Sequence, residues 1–338
     1  MSSDEIDDVE DKTLQQHAHF LTELPTTIGS FMTDLYLYQG IWLYSDALLG
    51  AMVMQNHFKP RSNDIFLSSF MKSGTTWLKS LMFTTLNRSR FDFSDHPLLR
   101  SGPQECFPVF DLYQPKDYVT NDTEVVPSPR LFASHFAHKL WPTSITDPSS
   151  GCKFVYVCRD PKDVLVSMWH FIHKLRPEEM GPLSLDHMFQ MFCEGVVEYG
   201  SYWDHVLGFW EACLKSPDKI LFFKYEEIKK DPEAHVKKLA EFMGVPISVQ
   251  EEENGMAKKI ADFCSFQHLT SLEVNKTGAF KANNGSVLPN SFFFRRGEVG
   301  DWKRHLTEKM KDQIDRISHD KFKDSGLTLG AGDHKLMT

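Results

Sequence analysis

Lys72-Ser73-Gly74-Thr75-Thr76-Trp77 gathers one ammonium group, three hydroxyls, a glycine and an indole into six residues. An apolar run, Ile65 to Phe70, precedes it and reads as a buried parallel strand, and Leu78 to Asn87 reads as a helix. A strand, a short polar loop and a helix aim free backbone N–H groups at an anion. Gly74 lets the backbone come close. The Trp77 face suits a purine, so a phosphorylated nucleotide is the natural ligand. The competing reading is a turn that merely caps a core helix, because the loop is not a Gly-x-x-x-x-Gly-Lys-Ser/Thr pattern.

The same layout recurs at Tyr156-Val-Cys-Arg-Asp-Pro-Lys-Asp-Val-Leu-Val-Ser167. Arg159 stands where the strand ends and Ser167 two turns into the next helix. A guanidinium and a hydroxyl there can hold a second phosphate. Alternatively, Arg159 pairs with Asp160 or Asp163 on the surface. A third basic element, Phe294-Arg295-Arg296-Gly297-Glu298-Val299-Gly300-Asp301-Trp302-Lys303, follows a polar stretch and reads as a phosphate clamp or a solvated turn.

Positioning these groups requires strands that alternate with helices. Strands are expected at Ile65–Phe70, Arg130–His135, Lys153–Cys158 and Ile220–Tyr225. Helices are expected after Pro161, over Ser201–Leu214 and after Pro232, with Asp160 and Asp231 as caps. A closing helical region covers Asp301–Lys321. Leu35–Phe58 reads as helical pieces broken near Gly40, residues 92–130 as loop, and Asn275–Phe292 as polar and mobile. The alternation implies α/β architecture, one domain with a central parallel sheet flanked by helices.

Composition narrows the class. With 338 residues, 41% of them hydrophobic, the chain can build one large core. No apolar stretch reaches about 18 residues, so no membrane span is expected. Residues 1–12 carry Asp4, Glu5, Asp7, Asp8, Glu10 and Asp11, the opposite of a signal peptide's basic start. Residues 1–20 read as a disordered acidic tail, and the location as cytoplasmic. Six scattered cysteines read as reduced thiols, and the Asn-x-Ser/Thr sequences at Asn87, Asn121, Asn275 and Asn284 as chance matches. A net charge of −9 argues against nucleic-acid binding but leaves room for a locally basic pocket.

Lys-Ser-Gly-Thr-Thr-Trp at 72–77, Cys-Arg-Asp-Pro-Lys-Asp-Val-x-Val-Ser at 158–167, Lys-Tyr-Glu-Glu at 224–227 and Arg-Arg-Gly-x-x-Gly-Asp-Trp-Lys at 295–303 occur in that order. Together they resemble the cytosolic sulfotransferase family, which uses 3′-phosphoadenylyl sulfate, over about Leu35 to Leu329. Tyr38–Trp42 and Glu273–Lys276 look like its plant branch. The resemblance implies a sulfotransferase domain over 21–330 with a core similar to nucleotide kinases. It implies that Lys72, Ser73, Gly74, Thr75, Thr76 and Trp77 bind the 5′-phosphosulfate and adenine. Arg159, Ser167, Arg295, Arg296 and Gly297 would then hold the 3′-phosphate, and Tyr225 would lie near the adenine. Ser265 and Phe266 fall where the family closes over the purine.

His135, in Ser134-His135, matches the family's catalytic histidine. Removing a hydroxyl proton suits an imidazole that titrates near the working pH. Without the resemblance His135 is one of fifteen histidines, and His138 is its rival. His135 with His138, or His170 with His173, has metal-like spacing, but no Cys or carboxylate pattern completes a site, and no metal is expected. Lys72 would stabilise the leaving phosphate. The partner would be a small hydroxylated apolar acceptor such as a flavonoid, steroid or jasmonate-like molecule, with no nucleic acid or membrane. Aromatic and Met-rich segments near the N-terminus, at Phe107–Tyr113 and at Phe136–Trp141, are expected to line its pocket.

The chain departs from the family in three places. Met71 replaces a proline, Ala133 replaces a basic residue two positions before the histidine, and Glu308 replaces the valine of a dimerisation pattern. A monomer or weak dimer is expected. Two other readings stay open: a non-catalytic nucleotide-binding protein and a Mg²⁺-dependent small-molecule kinase.

Overall fold

The structure is a computed structural model that describes residues 3–112, 128–176, 178–282 and 285–329, with side chains from residue 11 onward. Its centre is a four-stranded parallel sheet ordered β5-β4-β6-β7, with β4 at Ile65–Ser68, β5 at Leu131–Ser134, β6 at Lys153–Cys158 and β7 at Ile220–Lys224. All pairings are parallel, with Ser68 opposite both Ser134 and Tyr156, and Cys158 opposite Lys224.

Side chains alternate across a strand, so these strands feed two cores. Phe66, Phe132, Phe154 and Tyr156 enter one core, while Ile65, Leu67, Leu131, Val155 and Val157 enter the other. That is why each strand reads as a continuous apolar run. Helices α2 (Ser45–His57), α4 (Pro161–Leu175), α5 (Tyr202–Lys215) and α9 (Glu308–Phe322) cover the first face. Helices α3 (Thr75–Asn87), α6 (Pro232–Phe242) and α7 (Met256–Phe263) cover the second. The helix starts follow local chemistry. Asp160 accepts from Lys162 N at 2.9 Å with Pro161 in the first turn, and Asp231 accepts from Ala234 N at 3.0 Å.

A second sheet precedes the core: β1 (Thr26–Ile28), β2 (Asp34–Tyr38) and β3 (Ile41–Tyr44), paired antiparallel. This corrects the helical reading of Leu35–Phe58, which holds only from Ser45 to His57. Gln39 and Gly40 turn with φ of 49° and 73°, the left-handed pair that joins two strands by a two-residue hairpin. Residues 3–23, within and just beyond the stretch whose composition reads as a disordered tail, are described as one helix, α1 (Ser3–Glu23). His17 Nε2 donates to Ser45 O at 2.9 Å, and Thr13 Oγ1 lies 3.2 Å from His57 Nε2. Burial of Thr13 and His17 against α2 supplies what the acidic composition lacked.

The stretch read as mobile, Asn275–Phe292, folds as the end of a short helix (Glu273–Thr277), the hairpin β8 (Ala279–Lys281) and β9 (Val287–Pro289), and a 3₁₀ turn at Asn290–Phe293. Asn284 lies outside the described residues, as do Tyr113 and Asn121 of the 92–130 loop. The six cysteines are free thiols.

Candidate active site

The loops that leave the four parallel strands at their C-terminal ends all meet. Lys72 follows β4, His135 follows β5, Arg159 follows β6 and Tyr225 follows β7. In open parallel sheets this edge is where ligands bind. A cavity of about 540 Å³ occupies it. Lys72, Gly74, Thr75, Thr76, Trp77, His135, Arg159, Ser167, Tyr225, Arg295, Arg296 and Gly297 all line it. Ser73 sits just behind the wall, fully buried.

The loop after β4 is wound tightly. Lys72 holds φ of 65° and Gly74 of 119°, both left-handed, and Ser73 N bonds Phe70 O at 3.2 Å. A Cβ on Gly74 would lie 2.8 Å from the Tyr225 ring, so only glycine fits. No side chain caps α3, which leaves its first N–H groups available at the cavity. Trp77 and Tyr225 meet edge to face at 5.5 Å, and Lys229 Nζ lies 5.7 Å above the Trp77 ring.

The basic groups gather at the cavity, and the carboxylates that pair with the arginines, Asp163, Glu298 and Asp301, are not among the residues lining it. Burial, together with Lys174, Arg295 and Arg159, pushes the Lys72 ammonium down to about 7, and its Nζ lies 3.9 Å from the Phe171 ring centroid. Arg159 is buried, 4.5 Å from the Tyr225 ring, and its Nη2 donates to Glu298 O at 2.6 Å. Arg159 also pairs with Asp163 at 3.3 Å, so the ion pair weighed in the sequence exists, but inside the protein. Arg295 pairs with Asp301, and Arg296 reaches Glu298 and Asp301 at 3.7 Å from a more exposed position. Gly297 turns at φ of 63°, where a Cβ would meet the Phe266 ring at 2.6 Å.

Four buried polar atoms on these elements have no hydrogen-bond partner: Ser73 Oγ, Trp77 Nε1, Arg159 Nε and Arg295 Nε. An unpaired buried donor costs about 1–3 kcal/mol, and here all four belong to one site.

His135 lines the same cavity, within reach of the Lys72 charge. Its Nδ1 lies 2.8 Å from Ser69 O, an acceptor only, so Nδ1 carries the proton and Nε2 keeps the lone pair. Burial pulls its pKa down, opposed by Asp111 and the Ser69 carbonyl and reinforced by Lys72 and Lys79. His205 Nε2 donates to His135 O at 2.9 Å and Tyr156 OH meets His205 Nδ1 at 2.8 Å, which holds the backbone from below. His138 does not face this cavity. Its ring packs on Phe209 at 5.2 Å, beside a separate shallow depression.

Several lining residues carry no motif. Asp111, Tyr199, Lys79 and Gln104 line the polar part, and Phe31, Tyr44, Phe171, Leu175, Phe280, Leu288 and Phe293 the apolar part. The N-terminal aromatic segment contributes as expected. Phe136 and Trp141 instead belong to the core beneath the cavity, because the tight turn after β5 points them inward. From Phe107–Tyr113 the wall takes Val109 and Asp111. Ser265 caps helix α8 (Phe266–Ser271) by accepting from His268 N at 3.2 Å, while Phe266 and Leu269 form the wall. Asp111, Tyr199 and the β8–β9 residues offered no local signal in the sequence. Among the described residues, no three His, Cys, Asp or Glu side chains group as a metal site, and no helix is long and apolar enough to cross a membrane.

The sulfotransferase domain family matches residues 62–326. Cytosolic sulfotransferase 16 of Arabidopsis thaliana is 41% identical over 321 residues, covering 94% of this chain and 93% of that one. Flavonol 3-sulfotransferase of Flaveria bidentis is 40% identical over 319 residues, covering 94% and 98%. Among solved structures, a putative steroid sulphotransferase of Arabidopsis thaliana matches with a TM-score of 0.72 and 34% identity over 95% of this chain and 98% of that one. Mouse sulfotransferase SULT7A1 complexed with PAP matches with 0.64 and 26% identity over 86% and 95%. A cleft built from the loops after four parallel strands, with these likenesses along nearly its whole length, means that the chain belongs to the cytosolic sulfotransferase family, enzymes that draw on 3′-phosphoadenylyl sulfate.

Proposed function

We propose that this protein moves a sulfuryl group from 3′-phosphoadenylyl sulfate to a hydroxyl of a small apolar acceptor, with His135 as general base and Lys72 on the leaving phosphate. The observation that carries the reading is the set of four buried donors without a partner: Trp77 Nε1, Arg159 Nε and Arg295 Nε belong to residues lining the cavity that also holds His135, and Ser73 Oγ lies behind its wall. They fit a nucleotide with phosphates at both ends. The loop from Lys72 to Trp77 would hold the 5′ side. Arg159, Ser167, Arg295, Arg296 and Gly297 would hold the 3′-phosphate, with Trp77, Tyr225 and Phe266 around the adenine.

Bound there, the cofactor supplies the sulfuryl group. His135 Nε2 takes the hydroxyl proton as the acceptor oxygen bonds sulfur. Lys72 stabilises the electron pair that stays with the 5′-phosphate oxygen as the old S–O bond breaks. Catalysis is then positioning plus preorganised charge. Phe31, Phe171, Phe280, Leu288 and Phe293 favour an apolar acceptor, of the flavonoid, steroid or jasmonate-like kind. A cytoplasmic location and a monomer or weak dimer complete the proposal; relatives carry the name cytosolic.

Calorimetry with adenosine 3′,5′-bisphosphate and AMP tests the cofactor. AMP leaves the second basic group unpaired, at roughly 1.5–3 kcal/mol per charge-assisted bond, so the bisphosphate should bind far more tightly. Equal affinities would favour a kinase. Labelled donor with a panel of hydroxylated metabolites then finds the acceptor. Single-turnover rates of His135→Ala and His138→Ala separate the histidines. The first should lose roughly 10²-fold or more with cofactor affinity kept. Near-normal chemistry in that variant would remove His135 from the mechanism.

A further inference from the structure

Asp111 lies in the turn Phe110–Leu112 and is 1% exposed. Its Oδ1 accepts from Ser134 Oγ at 2.6 Å and its Oδ2 from His135 N at 2.8 Å. Tyr199 OH donates to Tyr44 OH at 3.1 Å, and the Tyr199 ring stands 5.4 Å from the His135 ring. The segment carrying Asp111 is strapped to α3. Lys79 Nζ donates to Gln104 O and Phe107 O, each at 2.8 Å, and Gln104 Nε2 donates to Thr76 Oγ1 at 2.8 Å. Asp46 and Asp111 are the carboxylates lining the cavity among the described residues, and Asp111 alone of the two bonds the His135 main chain.

We propose that Asp111 is the positioning carboxylate of the transfer step, anchoring His135 through its backbone and offsetting the charge of the imidazolium that forms there. The inference rests on His135 being the base. When Nε2 takes the acceptor's proton, a cation appears close to Lys72 and Lys79, whose fields oppose it. The other ionisable neighbours are His205 on α5, which is pushed down to about 3 and stays neutral, and Tyr199 and Tyr44, whose hydroxyls burial keeps protonated. Among the described residues, Asp111 is thus the carboxylate that bonds His135 and acts on its ring, while Asp46 and Glu198 act on Tyr44. Burial raises its own carboxyl pKa, and His135 and the Ser134 hydroxyl draw it back down.

The experiment measures single-turnover rate against pH for wild type, Asp111→Asn and Asp111→Glu, with bisphosphate affinity by calorimetry as the control. Removing the charge should lower the plateau rate roughly 10-fold or more. It should also move the acidic limb, which reports protonation of His135, down by about one pH unit. Asp111→Glu should restore the limb. In a His135→Ala background, Asp111→Asn should cost nothing further. An unmoved limb, or full additivity with His135→Ala, would overturn the proposal, as would loss of bisphosphate affinity together with turnover, which would make Asp111 a structural residue. A fast His135→Ala enzyme would instead sink the base assignment itself.

Discussion

Arg159, in the turn between β6 and α4, and Asp163, in the first turn of α4, form an ion pair of 3.3 Å inside the protein, and that carboxylate also fastens the segment that closes over it. Asp163 Oδ2 accepts from Gly300 N at 2.7 Å and Oδ1 from Trp302 N at 3.0 Å. One buried side chain thus orients an arginine of the cavity and ties down the stretch bearing Arg295, Arg296 and Gly297. Asp163→Asn should weaken adenosine 3′,5′-bisphosphate binding by about 10-fold or more, since it removes a charge and one of the acceptors. Turnover at saturating donor should change less. Calorimetry showing unchanged affinity would separate Asp163 from the clamp.

Lys72 should make cofactor binding proton-linked. In the free protein burial and three neighbouring cations hold it near 7, so much of it is neutral above that pH. A bound phosphate favours the charged form and raises its pKa. Binding between about pH 7 and 9 should therefore take up protons, and affinity should fall as pH rises through that window. Calorimetry in buffers of different ionisation heat measures the uptake. Lys72→Ala should abolish it and lower turnover more than binding. No uptake in the wild-type protein would mean that Lys72 stays charged without ligand.

The most deeply buried ion pair lies away from the cavity. Arg130 Nε donates to Asp64 Oδ1 at 2.8 Å, both side chains are fully buried, and Arg61 N donates to Asp64 Oδ2 at 2.7 Å. Breaking such a pair strands a buried charge. Asp64→Ala should destabilise the fold by about 3–5 kcal/mol in denaturant unfolding while the protein that remains folded binds bisphosphate normally. A loss below about 1 kcal/mol would show that water or rearrangement reaches Arg130.

Activity should persist in EDTA, because the proposed charge partners of the phosphates are Lys72, Arg159, Arg295, Arg296 and backbone N–H groups. Turnover abolished by chelation and restored by Mg²⁺ would contradict that assignment.

Where local chemistry decided, the sequence was sufficient. Ile65–Leu67 and Phe154–Cys158 are unbroken apolar runs because both their faces are buried, and the polar loops that follow mark the strand ends and the turns that line the cavity. Asp160-Pro161 announced its helix in the same way. The hairpin at 34–44 was misread because its aromatic residues suit either period, although Gln39-Gly40 held the turn signal. For the helix at 3–23, composition could not reveal the α2 surface that accepts Thr13 and His17. Tertiary structure alone decided which groups meet. Asp111 reaches His135 across 24 residues, and Asp163 reaches Gly300 across 137. Whether Arg159 is a surface ion pair or a buried donor with one nitrogen to spare depended on what packs over it, and no local pattern encodes that.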